Sequence, residues 1–205
     1  MATMALLMVT CLFAQKKTLL ATMFPKNQTA TVTLKDGRKV KASDTNIFLK
    51  NASLLYFQGD KVKEARMDII AAVDYEKRSF INIENRLAYF VDSIKGSSLF
   101  CVEIIDMDSF QRSLRNNVNY TFIDLASDHL GTVTNDLNTE DDYVYPVVRE
   151  FYFQIDGKIV EANQRDLYRV LDKERYRMLK TIISTPDFDW TNEESLMKLL
   201  GLITK

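Results

Sequence analysis

Residues 30–42 read ATVTLKDGRKVKA, and the rest of the first half of the chain continues the pattern that this stretch begins. Two runs suited to β-strands flank Asp36-Gly37, a dipeptide that readily adopts the positive φ angles of a tight hairpin turn. Similar short runs of β-branched and aromatic residues, separated by turn residues, extend to Asp106. The pattern predicts six or seven antiparallel strands between Thr29 and Asp106, arranged as a β-meander or a small barrel-like sheet.

The second half of the chain changes from strand periodicity to helix periodicity. Apolar residues alternate within residues 151–155, and Asp156-Gly157 turns the chain into residues 158–161, which predicts a further β-hairpin. Apolar residues then recur at helical spacing up to Pro186, and another helix follows. The apolar positions of these helices are Leu167, Leu171, Met178, Ile182, Leu196, Leu199, Leu200 and Ile203. The predicted fold class is therefore α+β, with helices at the C-terminus.

Polar residues indicate where helices begin and where the chain loops. Asp108 is the predicted cap of a short helix over residues 107–117, and Thr191-Asn192-Glu193-Glu194 has the pattern of a capping box that opens the last helix. Residues 127–145 are polar without periodicity, which predicts a long loop and the one place where a domain boundary would fall. The simpler interpretation is a single α+β domain over residues 16–205.

The chain begins with an uncharged apolar segment. Residues 4–13 contain no charged side chain, and Ala14 is the small residue expected beside a signal-peptidase cleavage site. A membrane-spanning helix needs about 20 apolar residues, so the run has the length of a signal peptide only. We therefore predict a signal peptide at residues 1–15, cleavage after Ala14 or Gln15, and no transmembrane segment in the mature chain.

Three alternatives stay open at this end. No Lys or Arg precedes the apolar run, which indicates that translation starts a few codons earlier. Cys11 raises the hypothesis of a lipid anchor, although Thr10 is not the small residue that usually precedes an acylated cysteine. An ordinary buried helix or strand is the third interpretation. Export predicts a periplasmic or extracellular location, with attachment to the envelope left open.

Composition narrows the classes of partner and of chemistry. The chain has 27 basic and 28 acidic residues, so its overall charge provides no attraction to nucleic acid. His129 is the only histidine, which excludes a multi-histidine metal centre. Cys101 lies inside the apolar run of residues 99–105, where a buried free thiol is expected rather than a nucleophile. Neither a catalytic residue nor a cofactor is predicted.

The acidic segment near residue 140 is a weak candidate for a metal site. Oxygen-bearing side chains alternate there as in the first half of a calcium loop, at Asp136, Asn138, Glu140 and Asp142. However, Asp141 stands where such a loop needs glycine, and Val147 stands where it needs a bidentate glutamate. The competing interpretation is a solvated acidic loop.

A series of cations is the candidate partner-binding surface. Arg165, Arg169, Lys173 and Arg177 follow one another every four residues, which places them along one side of a helix if that helix is continuous. Asp172 lies within the series and would interrupt it by starting a new helix. The competing interpretation is a solvated face with local ion pairs.

Three short motifs give the mature chain a resemblance to a known group of proteins. They are TLKDGRKV at 33–40, LYFQGDKV at 55–62 and DFDWT at 187–191. Together with the export signal, they resemble uncharacterised exported proteins of Bacteroidetes-type bacteria, and this resemblance implies a periplasmic or envelope setting without any catalytic residue. We expect a non-enzymatic exported protein that binds a protein or glycan partner in the envelope. The alternative is an envelope or glycan hydrolase that uses paired carboxylates.

Overall fold

A computed structural model describes residues 17–18, 21–58, 61–116 and 144–204. In these ranges the chain forms eleven strands, one 3-10 helix at Met67–Ile69 and four α-helices. The strands are β1 (Lys17–Thr18), β2 (Gln28–Leu34), β3 (Lys39–Phe48), β4 (Ser53–Gln58), β5 (Lys61–Glu64), β6 (Ile70–Asp74), β7 (Ser79–Ile83), β8 (Arg86–Ile94), β9 (Ser97–Ile105), β10 (Tyr145–Ile155) and β11 (Lys158–Glu161). The α-helices are α1 (Met107–Asn116), α2 (Gln164–Val170), α3 (Lys173–Ile183) and α4 (Glu193–Ile203).

All eleven strands belong to one antiparallel sheet. Its order is β1-β10-β9-β8-β7-β6-β2-β3-β4-β5, and β11 also pairs with β10. The α+β class and the C-terminal helices are confirmed. Eight strands rather than six or seven lie between residues 28 and 105, because Met67–Ile69 separates β5 from β6. Within β3, Asp44 has a φ of 50° and lies where the register between β2 and β3 shifts. It therefore forms a β-bulge, and β3 continues past it.

The sheet curls over on itself. The turn between β3 and β4 reaches the far end of the meander, where Leu49 O accepts from Ile105 N–H at 2.7 Å and Ala52 O accepts from Leu87 N–H at 2.8 Å. The inside of this curl is an apolar core that includes Ile47, Val73 and Phe80 from β3, β6 and β7. Backbone hydrogen bonds therefore join the β3–β4 turn to β8 and β9.

A second core lies between the sheet and the C-terminal helices. Alternate residues of β9 and β10 point towards the helices and pack against leucines of α2, α3 and α4. The buried members are Leu99, Cys101, Phe151, Phe153, Ile155, Ala162, Leu167, Leu171, Leu179, Leu196, Leu199, Leu200 and Ile203. This core fixes the orientation of α2 and α3, whose outer sides carry the candidate cations.

Two caps of the helices differ from the sequence prediction. Asp106, not Asp108, caps α1, since its Oδ1 accepts from Ser109 N–H at 2.9 Å. Asn192, not Thr191, caps α4 through Ser195 N–H at 2.9 Å, because the Thr191 hydroxyl instead donates to Asp189. The longest helices in the described ranges, α3 and α4, have 11 residues each, and none of the described helices meets the length and hydropathy of a membrane span.

Candidate functional site

The predicted row of cations is divided between two helices. Arg165 and Arg169 lie on α2, whereas Lys173 and Arg177 lie on α3. The side chain of Asp172 accepts a hydrogen bond from Arg175 N–H at 2.9 Å and starts α3, so the condition of a continuous helix fails. The four cations therefore do not form one ridge along a single helix.

The cations also differ in their partners. Arg169 forms an ion pair at 2.9 Å with Asp166, whose other carboxylate oxygen accepts from Asn163 Nδ2. Within the described ranges no ion pair forms at Arg165, Lys173 or Arg177. These three side chains are exposed to solvent, whereas Arg169 belongs to the local structure of α2.

A tyrosine pair joins the outer sides of α2 and α3. The rings of Tyr168 and Tyr176 meet edge to face with centroids 4.8 Å apart, and Tyr168 is 63% exposed. Lys180 Nζ lies 5.1 Å from the centre of the Tyr176 ring. Residues three or four apart share a side of a helix, so Arg165 lies beside Tyr168, while Lys173 and Lys180 lie beside Tyr176. Arg177 is four residues after Lys173 and three before Lys180, so it lies next to these two lysines. We call this surface the α2–α3 face: Arg165, Tyr168, Lys173, Tyr176, Arg177 and Lys180.

The sequence analysis missed the two tyrosines. Tyr168 and Tyr176 are eight residues apart, and their contact depends on the bend at Asp172, so helical spacing alone does not bring them together. It also missed Arg175, which is mostly buried and pairs with Asp156 at 2.8 Å and Asp172 at 3.0 Å. The hydrogen bond to Asp156 is the main cause that raises the pKa of Arg175. Arg175 thereby ties the β10–β11 turn to α3.

A cleft of about 400 Å³ lies next to α2. It is bounded by the β7–β8 turn, β10, β11 and α2, and its polar lining consists of Glu84, Tyr152, Glu161, Asp166 and Arg169. A second depression shares Glu84 with the cleft and also includes Glu64, Asp68 and Arg86. Three carboxylates therefore line the cleft, one of which is already engaged by Asn163 and Arg169.

A three-residue polar cluster connects the linings of the two depressions, because Tyr152 lines the cleft and Arg86 lines the second depression. Arg86 Nη1 lies 2.6 Å from Glu150 Oε2, Arg86 Nη2 donates to the Tyr152 hydroxyl, and that hydroxyl donates to Glu150 at 3.3 Å. Burial lowers the pKa of Arg86, but the hydrogen bond and the charge of Glu150 outweigh this effect and raise it. Burial raises the pKa of Tyr152 to about 12. At neutral pH Arg86 is therefore charged and Tyr152 is un-ionised. Neither group changes its protonation state near this pH, so the cluster is suited to a structural or positioning role.

The turn shared by the two depressions is strained. Glu84 and Asn85 have φ angles of 51° and 66°, and glutamate is disfavoured in this left-handed region whereas asparagine tolerates it. We expect Glu84→Asn to raise the free energy of unfolding by roughly 0.5–1 kcal/mol. Urea denaturation measures the effect. The control Glu84→Gln removes only the charge and should leave stability unchanged, so an equal gain in both variants would contradict the backbone explanation.

The structure describes Cys101 but not the predicted calcium site or His129. Cys101 is a free, buried thiol, and burial raises its pKa to about 12, which opposes nucleophilic chemistry. His129 and the calcium candidates Asp136, Asn138, Glu140 and Asp142 lie outside the described residues. Among the residues that are described, no group of three or more His, Cys, Asp or Glu side chains could hold a metal ion.

Comparison of the chain with protein-family models, with curated proteins and with solved structures gives no match. The resemblance to exported proteins of Bacteroidetes-type bacteria therefore stays a prediction from three short motifs. The signal peptide and the location also stay predictions.

Proposed function

We propose that this is an exported, non-enzymatic protein of the periplasm or cell surface that binds a negatively charged macromolecular partner through the α2–α3 face. The observation that carries the proposal is the combination of a tyrosine that is 63% exposed with three exposed cations that form no ion pair among the described residues. Arginine and tyrosine are enriched among residues that dominate binding energy at protein interfaces. The partner is an acidic protein or an anionic glycan of the envelope.

The geometry explains how such a face would bind. The Tyr168–Tyr176 contact holds the two aromatic rings in place before binding, so little side-chain entropy is lost when a partner covers them. The cations around the rings attract an acidic partner and orient it. The second core holds α2 and α3 against the sheet, which keeps both halves of the face in one arrangement.

A charge-reversal experiment tests the proposal. We expect Arg165→Glu, Lys173→Glu and Arg177→Glu together to weaken binding to isolated envelope fractions, and to an anionic polysaccharide such as polygalacturonate, at least about tenfold. Each exposed ion pair contributes roughly 0.2–1 kcal/mol, and a tenfold change corresponds to about 1.4 kcal/mol. Higher salt should weaken binding of the unmodified chain, because exposed charges are screened.

The control has the same change in net charge at a distant surface. Lys39→Glu, Lys41→Glu and Lys61→Glu replace exposed lysines of β3 and β5. If this variant loses binding to the same extent, net charge and not the α2–α3 face determines binding. If neither variant loses binding, the face is not the site.

The alternative is a glycan hydrolase, and carboxylates line both the cleft and the second depression. In the second depression Asp68 pairs with Arg66 and Glu64 accepts a hydrogen bond from Asn51, so the cleft is the better candidate. Because Asp166 is already paired, Glu84 and Glu161 are the two carboxylates that would act there. Release of reducing ends from the bound glycan, abolished by Glu161→Gln but not by the charge reversals, would favour the hydrolase over the binding protein.

A further inference from the structure

The α2–α3 face is built from two helices that meet at a bend. Leu171 and Asp172 form the bend, and both have extended backbone, with ψ angles of 141° and 170°. The Tyr168–Tyr176 contact crosses this bend, so it depends on the angle between the helices. The face is therefore one continuous surface only while that angle is held.

One guanidinium connects the bend to the sheet. Arg175 Nη1 lies 2.8 Å from Asp156 Oδ2 in the β10–β11 turn, and Arg175 Nε lies 3.0 Å from Asp172 Oδ2 in the bend. Only 11% of the Arg175 side chain is exposed, whereas Lys173 and Arg177 are exposed. The charge of Arg175 is therefore neutralised by carboxylates of the protein itself, unlike the outward cations on either side of it.

The carboxylate of Asp156 comes from a well-defined turn. Asp156 has a φ of 50° and Gly157 a φ of 76°, and together they form the two-residue turn between β10 and β11. Positive φ at both positions matches the twist of the paired strands. Ile155, the last residue of β10, is 2% exposed in the core between the sheet and the helices. Asp156 is therefore a fixed point to which a helix can be tied.

The carboxylate of Asp172 is held twice by the same residue. Its Oδ1 accepts from Arg175 N–H at 2.9 Å and caps α3, while its Oδ2 accepts from Arg175 Nε at 3.0 Å. A planar guanidinium offers several N–H donors in fixed directions, so it engages two carboxylates at once. A lysine has the same charge as a single point on a flexible stem, and it does not reproduce this geometry. The shape of the Arg175 side chain therefore matters as well as its charge.

We infer that Arg175 is a positioning residue for the α2–α3 face. It fixes the bend against the sheet by joining Asp156 to Asp172. The fixed bend then holds Tyr168 and Tyr176 in contact. The effect on binding rests on the proposed function of the face, because rings that are held in advance lose less freedom when a partner covers them. The effect on the ring contact does not depend on that function.

The test begins with Arg175→Lys in the full 205-residue chain. This variant keeps the net charge and the backbone N–H that Asp172 accepts from, but it breaks the bridge between the two carboxylates. We expect most of the nuclear Overhauser effect between the Tyr168 and Tyr176 rings to be lost. Binding to polygalacturonate should weaken at least about threefold, because the freed rings must be ordered on binding.

The matched control is Arg86→Lys, which makes the same substitution outside the α2–α3 face. Arg86 also contacts two partners, since it pairs with Glu150 and donates to the Tyr152 hydroxyl. The control removes a bridging guanidinium without altering the bend. It should therefore keep both the tyrosine contact and the affinity for polygalacturonate.

Asp156→Asn tests the same link from its other end. Asparagine tolerates the positive φ of the turn, so this variant removes the carboxylate charge and retains the turn. It makes the net charge more positive, which by itself favours a polyanion, yet we expect the ring contact and the binding to weaken as in Arg175→Lys. The double variant should be no weaker than either single variant, because both changes break one link.

Three results would overturn the inference. The first is an unchanged Tyr168–Tyr176 contact in Arg175→Lys. The second is an equal loss in Arg175→Lys and Arg86→Lys, which would show a general loss of stability. The third is loss of the ring contact with unchanged affinity in a chain that binds through the face. If the charge reversals show that the face does not bind, the proposed function fails, and the ring contact alone decides the role of Arg175.

Discussion

Replacing Phe153 with alanine is expected to lower the free energy of unfolding by about 3–5 kcal/mol. Phe153 lies on β10 with 0% of its surface exposed, in the core between the sheet and the C-terminal helices. The truncation removes the transfer free energy of the ring and leaves a cavity that the rigid sheet cannot fully close. The change is large against the roughly 5–15 kcal/mol that stabilises an ordinary domain.

Urea denaturation followed by circular dichroism measures this effect. The matched control is Phe90→Ala on β8, where the same residue type is 44% exposed on the face of the sheet opposite to the helices. Phe90 contacts Phe100 with ring centroids 6.0 Å apart, so a loss of about 0.5–1.5 kcal/mol is expected. Equal losses in both variants would mean that the helices do not pack on β10 as described.

The thiol of Cys101 is expected to react with a soluble disulfide reagent at least about tenfold more slowly in the folded protein than in the unfolded chain. Cys101 is fully buried on β9, so a reagent reaches it only when the strand opens locally. Burial also raises the pKa of the thiol to about 12, which lowers the fraction of reactive thiolate at pH 8. The measurement uses a Cys11→Ser background, so that a single thiol reports.

The same shift makes the fold sensitive to alkaline pH. The folded state holds the thiol neutral, whereas the unfolded chain ionises it above about pH 9, so this contribution to stability is complete below pH 9 and is lost as pH rises towards 12. Cys101→Ala should reduce the loss of stability over this range. A rate of thiol reaction equal to that in urea at pH 8 would contradict burial and indicate frequent local opening of β9.

The sequence predicted the strands well because turn residues and the alternation of apolar side chains, which define a strand, lie within a few residues of one another. Asp36-Gly37 and Asp156-Gly157 turn the chain through the positive φ of their glycines, and each flanking run needs only its own alternation. The bulge at Asp44 was not predicted, because it depends on how β3 aligns with β2. The caps at Asp106 and Asn192 were each misplaced, because several neighbouring polar residues competed for the same backbone donors.

The candidate site was predicted only in part. The cations of α2 and α3 were visible as a charge pattern, but the division at Asp172 and the Tyr168–Tyr176 contact depend on how the two helices pack. The Arg86–Glu150–Tyr152 cluster joins β8 to β10, whose residues are far apart in the chain. Sequence spacing does not predict this cluster, because the residues meet only when β8 and β10 both pair with β9.

The β3–β4 turn accepts backbone hydrogen bonds from Leu87 on β8 and Ile105 on β9. The native arrangement of β3 and β4 therefore depends on strands that are synthesised later. A ribosome or a translocation channel delivers the chain from its N-terminus, so β3 and β4 emerge well before their partners. Contacts between residues so distant in sequence slow folding, since the intervening loop must close first. For a chain exported as proposed, this delay would keep the early strands unfolded, which is the state that can pass through a channel.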